Sequence, residues 1–263
     1  MPRITDRSAV RALLETDRAW AVYPLGDLAP SYFEKCDWFG TTGNGPGIIL
    51  LYRGFTSPIF FAIGEPDVVR TLLDEIDDEP QMYLHLPPNI VPLLRTRYDI
   101  RDEKTMWRML LDADHFRPAS TGLAIRLGLS DLADVERLYA DGKPAGEMPH
   151  FFFPEMLQEG VFFGIREGGQ LIAAAGTHLV AAAESVAAIG NIYTRRDRRG
   201  RGLAAQVTRA VTGELLCREI RTIALNVHEH NHAAIRVYER LGFVWYCTFI
   251  EALAVIRQSQ NGR

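Results

Sequence analysis

Between Arg195 and Gly202 the chain sets five arginines, Arg195, Arg196, Arg198, Arg199 and Arg201, beside two glycines, Gly200 and Gly202, at the start of an amphipathic stretch. Guanidinium groups are fork-shaped donors matched to phosphate oxygens. Glycine lets an anion reach backbone N–H groups without meeting a Cβ, and the first turn of a helix presents such groups at the positive end of its dipole. These residue types at this spacing describe a pyrophosphate cradle. A solvated basic turn ahead of a helix is the alternative, and the loop alone does not separate the two. Gly200-x-Gly202-x-x-Ala205 also fits the relaxed dinucleotide fingerprint. That fingerprint requires a tight turn off an early strand and an acidic residue ending the next strand. Here the loop is late and arginine-rich, and the next strand ends Asn226-Val227-His228.

A second group of reactive side chains follows. At 3.6 residues per turn, Asn231, Ala234, Ile235 and Tyr238 share one helix face, with Asn231 and Tyr238 about 10 Å apart, so one ligand could touch both. Asn231 is also a natural N-cap. Tyr238 reads either as a half-buried tyrosine packed on Leu241 and Phe243 or as a hydroxyl offered to a ligand. His228, His230 and His232 alternate across a strand-to-helix junction, a spacing that does not gather three imidazoles on one side, so no metal site is expected. His150 and His178 read as packed or solvated histidines, and Phe151, Phe152 and Phe153 as core or as an apolar wall.

The elements that must hold these residues can be read from periodicity. In 263 residues, 47% hydrophobic and 24% charged, the composition is that of a folded globular protein of one large or two ordinary domains. A net charge of −4 makes the arginine loop a local patch on a mildly acidic body, suited to a small polyanion and not to nucleic acid. Cys36, Cys217 and Cys247 are odd in number and scattered, which predicts reduced, mostly buried thiols. No signal-peptide core or membrane-spanning run is present in the sequence, so a cytoplasmic location is expected.

Pattern breaks around Arg117-Pro118-Ala119-Ser120-Thr121-Gly122 divide the chain into residues 1–117 and 118–263. In the first part the pattern predicts helices over 8–17, 67–76 and 89–96 and strands over 47–53, 59–63, 81–86 and 98–111. Gly43-Asn44-Gly45-Pro46-Gly47 reads as a hairpin turn between two strands. In the second part it predicts strands over 123–127, 161–166, 170–179, 185–194, 222–227 and 243–256. Helices are expected over 131–140 with Ser130 as cap, over 203–216, and over 232–241 stopped by Gly242. The fold class is α/β (α+β): two domains, each a mixed, mostly antiparallel sheet flanked by helices.

Two of these segments carry a resemblance in a fixed order. The strand, basic loop and glycine pair ending Arg199-Gly200-Arg201-Gly202-Leu203-Ala204 resembles the coenzyme A signature of the GNAT superfamily of acyl-CoA-dependent N-acyltransferases. Asn231-His232-Ala233-Ala234-Ile235-Arg236-Val237-Tyr238-Glu239-Arg240-Leu241-Gly242-Phe243 resembles that superfamily's Asn-x-x-Ala…Tyr…Leu-Gly-Phe helix. Gly190-Asn191-Ile192-Tyr193-Thr194 is similar to the branch related to glycine N-acyltransferases, in which a degenerate GNAT-like half precedes the catalytic one. The chain departs from the superfamily pattern at Asp197, where Gln or Arg is common.

The resemblance implies acetyl-CoA as acyl donor. Arg198, Arg199, Gly200, Arg201, Gly202, Leu203 and Ala204 would hold its pyrophosphate, Ile192, Tyr193 and Thr194 would pair their backbone with its pantetheine arm, and Asn231 would make a further contact. It implies Tyr238 as the general acid at the leaving sulfur, and as acceptor a small amine or amino acid. A monomer or homodimer without metal, nucleic acid or membrane partner is expected. Amide formation also needs a neutral amine, and the residues able to take its proton, Glu147, Glu155, Glu184 and His178, are not ranked by sequence. A non-catalytic acyl-CoA sensor is the alternative function.

Overall fold

The computed structural model describes residues 3–42, 45–118, 122–149 and 151–257. The chain divides into two compact units, Met1–Arg108 with Cys247–Arg263, and Met109–Tyr246.

The first unit contains α1 (Arg7–Leu14), α2 (Val22–Gly26), α3 (Pro30–Phe33), β1 (Cys36–Thr41), β2 (Gly47–Tyr52), β3 (Ile59–Ile63), α4 (Pro66–Leu73), β4 (Gln81–Leu86) and α5 (Val91–Leu94). The strand β5 (Tyr98–Leu111) leads out of it. β1, β2 and β3 pair antiparallel and β3 pairs parallel with β4. The run Ile48-Ile49-Leu50-Leu51 is buried on successive positions, the mark of a strand covered on both faces. Ile49, Leu51, Phe60, Val69, Leu72 and Leu84 join one core cluster. Thr41 pairs with Gly47 as a hairpin requires, while Gly43 and Asn44 lie outside the described residues. Arg108 is buried: its guanidinium donates to the carbonyls of Trp20 (2.8 Å) and Ala19 (3.2 Å) and lies over the rings of Trp20, Tyr23 and Phe249.

The second unit contains β6 (Ile125–Arg126), α6 (Leu132–Ala140), α7 (Glu155–Glu159), β7 (Phe163–Glu167), β8 (Gln170–Ala181), β9 (Val186–Thr194), α8 (Leu203–Cys217), β10 (Thr222–His228) and α9 (His232–Arg240), and β11 (Phe243–Ile256) leaves it. β6 through β9 are antiparallel neighbours, and β10 lies parallel to β9. The β7–β8 turn uses Gly168 and Gly169 at φ +57° and +80°, a region that side chains disfavour. β8 is rich in small residues because its neighbours fill the space: a Cβ on Gly176 would overlap the Phe162 ring. Leu127, Val135, Leu138, Tyr139, Phe162 and Tyr193 form the core between α6, α7 and the sheet.

Several expectations change. The cut at 117/118 is linear, whereas residues 247–256 fall with the first unit because β11 pairs with β4 from Ile250↔Leu86 to Val255↔Gln81. The cap of α6 is Asp131 and not Ser130; the Asp131 carboxylate accepts the Gly128 N–H at 3.0 Å, closing a tight turn ahead of the helix. Cys36 is buried, but Cys217, the last residue of α8, is exposed, and Cys247 on β11 is half-buried. The helix expected over 89–96 shortens to α5, and α2, α3, β1 and α7 are additional. Among the described residues no helix is long and apolar enough to cross a membrane.

Candidate functional site

The loop between β9 and α8 is built around two left-handed glycines. Gly200 has φ +77° and Gly202, the residue preceding α8, has φ +72°. A Cβ added at either meets nothing within 4 Å, so the glycines serve backbone conformation and open approach, not tight packing. No side chain caps α8. Its first N–H groups, those of Leu203 and Ala204 included, have no acceptor within the helix. Leu203 is buried and anchors the turn, while Ala204 is half-buried. An open, uncapped helix start flanked by arginines fits a diphosphate.

The arginines themselves are not an unopposed positive patch. Arg199 forms a forked pair with Glu147; Arg201 (3.0 Å) and Arg198 both bind Glu167; Arg195 (2.6 Å) and Arg198 (2.7 Å) bind Asp197; and Arg196 lies 3.5 Å from Asp141. Asp197, the departure from the superfamily pattern, thus ties Arg195 and Arg198. Arg199 holds the Glu147 carboxyl below its ordinary range, and Arg201 and then Arg198 do the same for Glu167. An anion entering the loop therefore competes with carboxylates already there.

β9 is paired on both sides only along its first half. The parallel pairing with β10 runs from Val186↔Thr222 to Ile189↔Leu225 and stops, although β9 continues to Thr194 and β10 to His228. On the β8 side the register slips between Ala174 and Gly176 and again between Thr177 and Leu179. Asn191 sits at the irregularity with φ +53°. Backbone groups of the stretch containing Ile192 and Thr194 thus border a gap between parallel strands, and the Thr194 hydroxyl oxygen is buried with no hydrogen-bond partner among the described residues. Tyr193 turns inward: its hydroxyl donates to Asp141 at 2.9 Å, and burial, then Asp141, pushes its pKa up to about 12. Only the Tyr193 backbone is available to a ligand.

Asp141 connects α6 to this region, accepting from the Tyr193 hydroxyl and from the Arg196 N–H (3.0 Å). The Arg196 N–H, more than any other group, holds its carboxyl below the ordinary range. Asp141→Ala is expected to cost about 1 kcal/mol, a charge-assisted hydrogen bond discounted for partial solvent exposure. A depressed carboxyl pKa stabilises the fold above its unfolded value of about 3.9 and ceases to do so as pH falls through the lower folded value. Denaturant titrations of wild type and variant should therefore differ by a constant amount above about pH 5 and converge in acid.

On α9, Asn231 is the N-cap, its side-chain oxygen accepting from the Ala234 N–H at 3.2 Å. The buried face carries Ile235 and Tyr238, 5% and 7% exposed. The Tyr238 ring meets Phe243 edge-on at 6.4 Å, and its hydroxyl has no hydrogen-bond partner among the described residues. Burial raises its pKa well above the ordinary tyrosine value, so it stays protonated. The His230 ring contacts those of His228 and His232, and among the described residues no group of three or more His, Cys, Asp or Glu is placed to hold a metal ion.

The four residues left unranked as proton acceptors now separate. Glu147 is held by Arg199, and Glu184 lies in the turn before β9, at the far end of that strand from Thr194. Glu155 opens α7 and is exposed. The His178 ring rests on the α-carbon of Gly190, where any Cβ would overlap it, and faces Phe151 at 6.0 Å. His150 lies outside the described residues. Sequence reasoning missed Asp141, Glu167 and Asn191; the visible signal for Asn191 was a polar residue inside an apolar strand.

Residues 131–243 match the Acetyltransferase (GNAT) family. The matched segment contains the loop, β9, β10 and α9. No curated protein matches the sequence. Among solved structures, a Drosophila protein superposes with a TM-score of 0.69 at 13% identity, covering 97% of this chain and 98% of its own. A GCN5-related N-acetyltransferase from Kribbella flavida gives 0.59 at 15% identity, with 92% and 97% covered. A tandem GNAT protein of the clavulanic acid biosynthesis pathway gives 0.56 at 17% identity, with 90% and 88% covered. The chain as a whole has the two-domain GNAT fold.

Proposed function

We propose that the protein is an N-acyltransferase that moves an acetyl group from acetyl-CoA to the amine of a small molecule or amino acid, with the chemistry in the second unit. The observation carrying this reading is the open, uncapped α8 start at Gly200 and Gly202 beside a half-unpaired β9. Acetyl-CoA supplies a thioester carbonyl: the C–N bond forms as the C–S bond breaks, giving an amide and free thiol. The N–H groups of Leu203 and Ala204 and the Arg198, Arg199 and Arg201 side chains hold the pyrophosphate. The backbone of Ile192, Tyr193 and Thr194 pairs with the pantetheine arm as an added strand would. Asn231 caps the helix that presents Tyr238, whose protonated hydroxyl donates to the leaving sulfur. His178, against the Gly190 backbone, takes the amine proton. The first unit has neither the Arg199–Ala204 motif nor the Asn231–Phe243 motif, which supports reading it as a degenerate GNAT-like half, as in the branch related to glycine N-acyltransferases.

The test is incubation of the whole protein with labelled acetyl-CoA and glycine, leucine, phenylalanine, benzylamine and spermidine. Label in at least one amide is expected. Coenzyme A binding with every amine unmodified would make the protein a sensor, and no binding by calorimetry would overturn the reading altogether.

The carboxylates on the arginine loop add a prediction. Glu167→Gln releases Arg201 and leaves Arg198 only its Asp197 partner, so coenzyme A should bind about threefold tighter, the scale of an exposed ion pair, with the gain shrinking in high salt. Titration calorimetry at two salt concentrations checks it.

A further inference from the structure

Asn191 is anomalous in three respects. It is a non-glycine residue at φ +53°, its side chain lies in a stretch otherwise apolar, and at 6% exposure its side-chain oxygen has no hydrogen-bond partner among the described residues. A buried acceptor left unpaired is costly, and its persistence suggests a partner supplied from outside. The rest of the residue is held firmly. Its carbonyl accepts the Tyr139 hydroxyl at 2.7 Å and its amide nitrogen points at the Met156 sulfur, 3.4 Å away.

The surroundings indicate what that partner is. Asn191 directly precedes Ile192, Tyr193 and Thr194 and directly follows Gly190, on which His178 rests. The segment 151–156 is anchored to the same two residues. Phe151 faces His178 at 6.0 Å, Phe153 faces Phe151 at 5.4 Å, and the Phe153 carbonyl accepts the N–H of Met156, the residue that touches Asn191. Phe151 and Phe153 remain 38% and 37% exposed, large aromatic surface on the segment that Met156 ties to Asn191. An N–H donor carrying an apolar substituent satisfies both features at once: its nitrogen reaches the Asn191 oxygen while its substituent covers the two rings.

We infer that Asn191 is the residue that receives the acceptor amine, its side-chain oxygen accepting an N–H, and that Phe151 and Phe153 select amines with an apolar substituent. The inference rests on the acyl-transfer reading and specifies the acceptor side of that site. It distinguishes the role of Asn191 from that of the arginine loop, because the loop holds the donor and Asn191 does not touch it.

The experiment uses the full chain with acetyl-CoA and the five amines named above. Phenylalanine and benzylamine should show kcat/KM at least tenfold above glycine and spermidine. Asn191→Gly retains the left-handed backbone, which glycine adopts freely, and removes the acceptor oxygen. With benzylamine as probe, its KM should rise about tenfold while coenzyme A affinity stays within twofold of wild type. Asn191→Asp keeps an acceptor oxygen and tolerates the same backbone, so its KM should stay within about threefold; it stands in should the glycine variant not fold. A wild-type KM in Asn191→Gly, a tenfold rise in Asn191→Asp, or a preference for glycine and spermidine overturns the inference and leaves acyl transfer intact. A wild-type protein that acylates none of the five amines overturns the acyl-transfer reading and this inference with it.

Discussion

Tyr238→Phe is expected to lower kcat about a hundredfold while coenzyme A affinity changes less than twofold, the lower end of what a positioned general acid contributes. The substitution deletes one oxygen and keeps the ring that packs edge-on against Phe243. Because the hydroxyl has no partner among the described residues, its loss should not destabilise the fold, and a thermal melt should be unchanged or slightly raised. A purely structural tyrosine predicts the opposite pattern, with stability altered and turnover preserved. Burial keeps this phenol protonated, so under the proposed mechanism it would donate a hydrogen bond to the sulfur as negative charge develops there. The pH–rate profile between about pH 6 and 9 should therefore keep its shape in the variant and only drop in height. Turnover equal to wild type would remove Tyr238 from the mechanism.

What was legible in the sequence follows local rules. β4 and β11 are bounded as alternation and flanking turns predict, α8 starts directly after its glycine pair, and α9 carries Asn231 as cap and Tyr238 on its buried face. These depend on residues within a turn or two of one another. The unforeseen features depend on partners distant in sequence. The pairing of β11 with β4 sends residues 247–256 to the first unit. The Glu147 and Glu167 contacts change the loop from a bare cationic patch into a compensated one, and no periodicity signals which carboxylate meets which arginine. The Asn191 irregularity exists because β8 and β9 slip register, a property of two strands together. Arg108 likewise looks like a surface residue of a strand until the carbonyls and rings around it are known. Local backbone conformation was readable, and long-range side-chain pairing was not.

Gly202→Val should weaken coenzyme A binding a hundredfold or more with the protein still folded. Two effects act in the same direction. At φ +72° a β-branched residue is strained by about 1–3 kcal/mol, and relieving that strain rotates the first N–H groups of α8 away from a bound phosphate. The added side chain also occupies the space that now lies open above the backbone, which the phosphate would need. Neither effect reaches the core, because Gly202 is exposed and α8 is held by Leu203, Val207, Val211 and Leu215, all buried. Unfolding should thus shift by no more than the backbone strain, while affinity falls far more. Gly202→Ala separates the contributions: a methyl group strains the same φ but fills little space, so its affinity should lie between wild type and Gly202→Val. Calorimetry giving equal affinity for all three proteins would reject the cradle at the α8 N-terminus. The same titration run with Arg199→Ala would then report whether the arginines bind the anion without the backbone.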